Sequence, residues 1–252
     1  MLLDHVPSVQ IGRFGGIPIR VDLTFLLVPI ALLTAIQWSA LSTLAVGTGL
    51  VVAVGVVALK VAGVFCSILL HELGHCVVAH RFGMPTREIR IGGFYGLAIM
   101  AAHWRSRRAA IWILLAGPFA NLLVVIWLWL LLGAPVVSAT LALGKPVLVT
   151  SVQAVPELVY VLRWLLFLNV AMLVFNLLPA FPLDGGRVGR LLLERRFGVA
   201  RAIKTVAGLG LIVGLWSIMG APRYGVTLGF IGLTLLVFNF KIWAGSMPAP
   251  DD

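Results

Sequence analysis

His71-Glu72-Leu73-Gly74-His75 sets two imidazoles four residues apart with a carboxylate between them. On a helix, positions i and i+4 share a face, so both rings can reach one ion. The pattern suits zinc, with the glutamate acting as general base on a water that the ion activates. Two histidines leave the ligand set incomplete, so a third protein ligand must come from elsewhere in the chain. The pentapeptide lies inside ILLHELGHCVVAH, residues 68–80, in an otherwise apolar stretch. Ionisable groups at bilayer depth are costly and are therefore functional candidates by default.

The surroundings are those of a membrane protein. Of 252 residues, 61% are apolar and 11% charged, against about 45–50% and about 25% in soluble domains. Mean hydropathy is +1.08. The apolar runs are long and do not alternate, which excludes a barrel. The expected fold is an all-α polytopic bundle of about six transmembrane helices, with a small membrane-associated β-hairpin or re-entrant segment. Residues 1–22 form an N-terminal amphipathic or β segment, since IGRFGGIPIRVDL alternates around glycines and a proline. Its start, MLLDHVPSVQIGRFGG, has no apolar h-region, so no removable signal peptide is expected.

Residues 23–245 hold the six spans. The stretch 24–70 would be about 70 Å long as one helix, so it must cross twice, with a break at Gly47-Thr48-Gly49. The HExxH span covers about 50–81, the AGPFAN span about 111–132 and the LDG span about 158–186. Two further spans lie near 203–219 and 225–243. Arginine-rich loops are expected over 83–109 and 187–204, and 246–252 is a flexible tail. REIRIGGFYGLAIMAAH in the first of these loops reads as strands around glycines.

Net charge is +10, but the basic residues flank apolar spans rather than forming a soluble basic domain, so no nucleic-acid partner is expected. In a six-span arrangement fifteen of the nineteen lysines and arginines share one side and Lys145 and Arg223 lie on the other. That asymmetry puts both termini and the HExxH end in the cytosol. Lys60 and Arg163 lie in or beside spans, towards the second side. Cys66 and Cys76 would be about 15 Å apart on one helix, too far for a disulfide.

Few polar residues remain at membrane depth to complete the ligand set. Asp184, in NLLPAFPLDGGR, follows the fourth span, and Pro179 and Pro182 end regular helix before it. It falls at the same cytosolic end as His71 and His75, which makes it the best third ligand and leaves a fourth position for water. Asn121 and Asn176 lie near the same face. Either could donate to an oxyanion or hold unwound substrate, or simply hydrogen-bond between helices.

Three stretches together resemble the site-2 protease family of intramembrane zinc metalloproteases, near its compact bacterial and archaeal members without CBS or PDZ domains. They are HELGH at 71–75, AGPFAN at 116–121 and NLLPAFPLDGG at 176–186. GRFGGIPIR and IGGFYGLAIM match the family's N-terminal segment and its glycine-bearing loop. The resemblance implies one zinc per chain, held by His71, His75 and Asp184, with Glu72 as catalytic acid/base. It implies a re-entrant strand near residues 89–100, with Gly92 and Gly93 among the candidate substrate or oxyanion contacts. Many members carry a proline before these paired glycines, where this chain has Arg90-Ile91. The implied activity is cleavage of a transmembrane segment of a membrane-anchored protein, in the lipid bilayer of a bacterial or archaeal inner membrane.

Two other classes compete. A chamber-forming membrane metallopeptidase would take a glutamate as third ligand, yet Glu88 sits in a loop too near the motif, Glu157 on the opposite face and Glu194 beyond Asp184. A transporter or metal-handling protein could use the same ligands, but repeated halves or a second midplane polar cluster are lacking. His80 and His103 read as surface histidines, Cys76 as packing, Gly117-Pro118 as a close helix contact and Trp38, Trp104 and Trp243 as interfacial anchors.

Overall fold

The computed structural model describes residues 7–27, 50–93, 96–100, 104–132 and 156–250. The expected first crossing lies almost wholly outside these residues, as do its break at Gly47-Thr48-Gly49, Trp38, His103 and Lys145.

The N-terminal segment is a hairpin. β1 (Ser8–Phe14) and β2 (Ile17–Asp22) pair antiparallel across Gly15 and Gly16, whose φ values of 54° and 85° suit a two-residue turn that L side chains resist. A short 3-10 turn, Leu23–Leu26, follows. The glycine-bearing loop is a second hairpin, β3 (Thr86–Ile91) and β4 (Gly96–Met100). The two hairpins join through a parallel pairing of β2 with β3, Ile19 opposite Ile89. Where the sequence suggested one small hairpin, the result is a four-stranded sheet in the order β1-β2-β3-β4. Among the described residues β4 is therefore an edge strand. Ile19, Ile89 and Ile91 bury against Val64, Ile68 and Cys76 of the HExxH helix, which fixes the sheet beside that helix.

Six helices are described: α1 (Leu50–Arg81), α2 (Arg107–Leu132), α3 (Pro156–Asn176), α4 (Asp184–Phe197), α5 (Val199–Tyr224) and α6 (Val226–Trp243). Four of them contain segments long and apolar enough to cross a bilayer, namely Val54–Arg81, Arg107–Leu132, Glu157–Asn176 and Val199–Arg223. α6 contributes a shorter apolar stretch, Leu228–Trp243. α1, α2 and α3 pack on one another, and α4 bridges α2 and α5.

Two expectations need correction. The arginine-rich segment 187–204 is not a loop. It forms most of α4 and the start of α5, joined at Gly198 with φ 79°. Leu193 packs under Phe181 and Val206 while Arg195 and Arg196 stay exposed, so an amphipathic face makes this charged stretch helical. Nor do residues 246–250 fray. Ala249 is buried in a cluster with Phe181, Val206, Ala207 and Ile242, and the Pro250 carbonyl accepts from Arg190 at 2.9 Å. Residues 251–252 lie outside the described residues.

Lys60 is buried within the first of the candidate spans. Its Nζ donates to the Tyr160 hydroxyl at 3.0 Å and stands over the Tyr160 and Trp164 rings. Aromatic faces and one hydroxyl thus take over part of the water's role around that charge.

Candidate active site

Helical spacing delivers His71 and His75 to one face of α1, and both are buried. Their Nε2 atoms are 3.1 Å apart. Asp184, in the first turn of α4, brings Oδ2 to 3.2 Å from His71 Nε2 and 3.4 Å from His75 Nε2. The Asp184 turn is possible because Gly185 and Gly186 have no Cβ. One would press on the Leu177 carbonyl and the other on the Ala180 carbonyl, so the loop leaving α3 folds directly onto the start of α4.

The proton positions follow from the hydrogen bonds. His75 Nδ1 faces the Ile113 carbonyl at 2.7 Å; a carbonyl only accepts, so this nitrogen carries the proton. His71 Nδ1 lies 2.6 Å from Asn121 Oδ1. Asn121 Nδ2 donates to Asn169 Oδ1, and Asn169 Nδ2 donates to Ser67 Oγ and to the Leu165 carbonyl. The Leu165 carbonyl fixes the direction of this whole chain, which makes His71 Nδ1 the donor to Asn121. In both neutral rings Nε2 is then a bare lone pair.

Three electron-rich atoms therefore converge, and Asp184 Oδ2 accepts no hydrogen bond. Such a triangle repels itself unless a cation sits among its members. A tetrahedral ion with bonds of about 2.0–2.1 Å holds its ligand atoms about 3.3–3.4 Å apart, and the three observed distances lie close to that. The residues present fit a zinc ion.

Glu72 is buried, and its carboxylate lies with the two imidazoles in one cluster whose ligand atoms are within 4.8 Å of one another. Asp184 makes the tighter approach to both Nε2 atoms, which leaves Glu72 beside the triangle rather than in it. Glu72 faces β4. Gly96 of the same strand passes so near that a Cβ there would meet Glu72 Oε1 and lie 2.8 Å from its Cγ. The edge strand and the carboxylate thus face one another.

The other glutamates lie elsewhere. Glu88 pairs with Arg90 at 2.7 Å, Glu194 with Arg190 at 3.7 Å, and Glu157 stands in the first turn of α3, at the far end from Asn176. His80 is exposed, and Cys76 is buried in the cluster under the sheet.

The four residues named as substrate or oxyanion contacts have these surroundings. Asn121 is fully buried, with its oxygen turned to His71 and its nitrogen to Asn169. Asn176 donates back to the Met172 carbonyl one turn earlier. The Gly93 N–H donates to Thr24 Oγ1 at 3.2 Å, and a Cβ on Gly93 would collide with the Thr24 carbonyl. Gly92 is buried at the end of β3. Gly93 therefore lets the second hairpin dock against the 3-10 turn.

Sequence reasoning missed Ser67 and Asn169, since a lone polar residue in a span carries no spacing signal. It also gave Gly117 a packing role. In the structure a Cβ on Gly117 would strike the His75 ring and lie 2.7 Å from His71 Nε2. Gly117→Ala is expected to cut zinc affinity by at least about tenfold, the scale of supporting-shell defects. Alanine favours helix by about 1 kcal/mol over glycine, so a melting point that holds while zinc is lost would locate the effect at the imidazoles. Full zinc occupancy in the variant would show that the rings have room to move.

The fold and site define a multi-pass membrane protein in which two buried histidines and a carboxylate converge, with a glutamate beside them. The chain matches the family model of peptidase family M50 over residues 59–219 and belongs to that family. It is similar to Rip3 of Mycobacterium tuberculosis, whose name places it among zinc metalloproteases, at 32% identity over 89% of this chain and 56% of that protein. It is also similar to the zinc metalloprotease MJ0392 of Methanocaldococcus jannaschii, at 28% identity over 81% of this chain and 50% of that protein. The chain thus spans about half the length of these curated relatives. Its fold is that of the site-2 protease from Methanocaldococcus jannaschii, with a TM-score of 0.58 at 24% identity, covering 94% of this chain and 95% of that one.

Proposed function

We propose that the chain is a zinc endopeptidase that cuts membrane-anchored proteins within their transmembrane segment, with one zinc per chain and six spans. The observation that carries this reading is the convergence of His71 Nε2, His75 Nε2 and Asp184 Oδ2 with Glu72 alongside. The zinc-metalloprotease names of the relatives support it.

When bound, zinc supplies Lewis acidity to the scissile carbonyl and the attacking water. The chain's own residues do the rest. Glu72, desolvated beside the ion, takes the water's proton and returns it to the departing amine. Asn121 and the Ile113 carbonyl hold the two imidazoles with Nε2 pointing inward, which is a positioning role for Asn121 rather than an oxyanion contact. A peptide bond inside a helix is sterically closed, so substrate must unwind first. The outer edge of β4, next to Glu72, gives the unwound segment a strand to pair with. The termini and the site's opening face the cytosol, on the side that collects fifteen of the nineteen lysines and arginines.

The test is cleavage in vesicles. Reconstituted protein is given a tagged substrate with one apolar span and, separately, the same sequence as a soluble peptide. Cleavage is expected inside the span. It should stop with a chelator and return with zinc. Zinc flux across the vesicles without any cut would replace this reading with a metal-handling one.

A further inference from the structure

The loop that carries Asp184 is held from outside at Phe181, by a residue far away in the chain. Asn239, fully buried on α6, engages both backbone polar groups of Phe181. The Phe181 N–H donates to Asn239 Oδ1 at 3.1 Å, and Asn239 Nδ2 donates to the Phe181 carbonyl at 2.7 Å and to the Leu235 carbonyl at 2.8 Å. The amide thus stands in for a neighbouring backbone, which a loop at this depth would otherwise lack. The Phe181 ring is fully buried among Val206, Ala207, Ile242 and Ala249. Gly210 of α5 lies so close that a Cβ there would overlap the Asn239 amide, so the amide is boxed in from behind.

From this fixed point the chain has little slack. Leu183 N–H donates to the Ala180 carbonyl and Arg187 N–H to the Leu183 carbonyl, while Gly186 abuts Ala180. Asp184 follows Phe181 by three residues inside that tight turn. Any displacement of Phe181 is passed to the carboxylate that must sit within a few tenths of an ångström of its place between two imidazoles.

We propose that Asn239 is a positioning residue for the metal centre, clamping Phe181 so that Asp184 Oδ2 is presented to His71 and His75. The inference rests on the metal-site reading above. It places part of the zinc affinity in α6, a helix that supplies no ligand.

The experiment compares wild type, Asn239→Leu and Asn239→Asp in detergent. Asn239→Leu removes both hydrogen bonds to Phe181 and keeps four side-chain heavy atoms branched at Cγ. Asn239→Asp keeps the acceptor for the Phe181 N–H and sets an oxygen against two carbonyls. Ser217→Ala serves as control, since Ser217 is another fully buried polar residue of the α5–α6 pair and bonds only within its own helix, to Val213. The readouts are zinc affinity by competition with a chelator, the visible spectrum of the cobalt-substituted site, and melting of the zinc-free protein. Both Asn239 variants are expected to bind zinc about 10- to 100-fold more weakly, the usual cost of losing a ligand's support. Their cobalt spectra should change, and Ser217→Ala should match wild type in both. If Asn239→Leu does not fold, Asn239→Asp decides. Wild-type zinc affinity and cobalt spectrum in the folded variants, with only a lowered melting point, would overturn the inference and leave Asn239 as packing. A wild type that binds no zinc would instead overturn the metal-site reading, and this inference with it.

Discussion

Glu72→Gln is expected to lower cleavage of a membrane-inserted substrate by about 10²- to 10⁴-fold, the range that a positioned acid/base supplies, while zinc per chain stays at the wild-type value. Glutamine keeps the length and shape of the side chain. It cannot take a proton from water. Because Glu72 stands outside the triangle formed by His71, His75 and Asp184, the metal should stay. Paired measurements of product formation in vesicles and of zinc content separate the two roles. A variant that cuts at the wild-type rate would remove Glu72 from the chemistry. Loss of zinc together with activity would make it a ligand.

The second large effect is at Asp184. Asp184→Ala should lower zinc affinity by more than about a hundredfold, beyond the cost of a supporting-residue defect, and abolish cleavage. Asp184→Asn tests the charge separately. It keeps an oxygen in the site but no longer offsets the cation, so its affinity should fall between the two. Elemental analysis after dialysis against a weak chelator reads both. One tightly held zinc in Asp184→Ala would reduce this residue to the N-terminal turn of α4, where a carboxylate is favoured anyway.

What could be read from the sequence was what sits close in sequence or carries charge into lipid. The i, i+4 spacing put His71 and His75 on one face, and the scarcity of polar residues at depth pointed to Asp184. What could not be read was pairing at long range. Asn169 supports His71 through Asn121 across a separation of 48 residues, and Asn239 reaches Phe181 across 58. Neither has a spacing that marks it. The segment 187–204 was misread because its arginines outweighed its leucines in composition, whereas a helix needs only one apolar face. Strand-forming stretches on either side of α1 were legible from alternation and glycines, but their fusion into one sheet was not. Parallel pairing of β2 with β3 leaves no trace in either strand alone.

That parallel pairing also orders events during synthesis. Ile19 and Ile89 lie side by side yet seventy residues apart in the chain. The first hairpin is complete once residue 22 has left the ribosome, but one edge of β2 then has no partner until α1 has entered the bilayer and β3 has followed it. For that interval an apolar strand with unpaired backbone groups waits at the membrane surface, the condition in which strands stick to the wrong neighbours. The exposed, partly charged face of β1, with Arg13 in it, leaves β2 as the edge that must be protected. Assembly of the strand beside Glu72 is thus a late event, and a membrane span has to be inserted before the two ends of the sheet can meet.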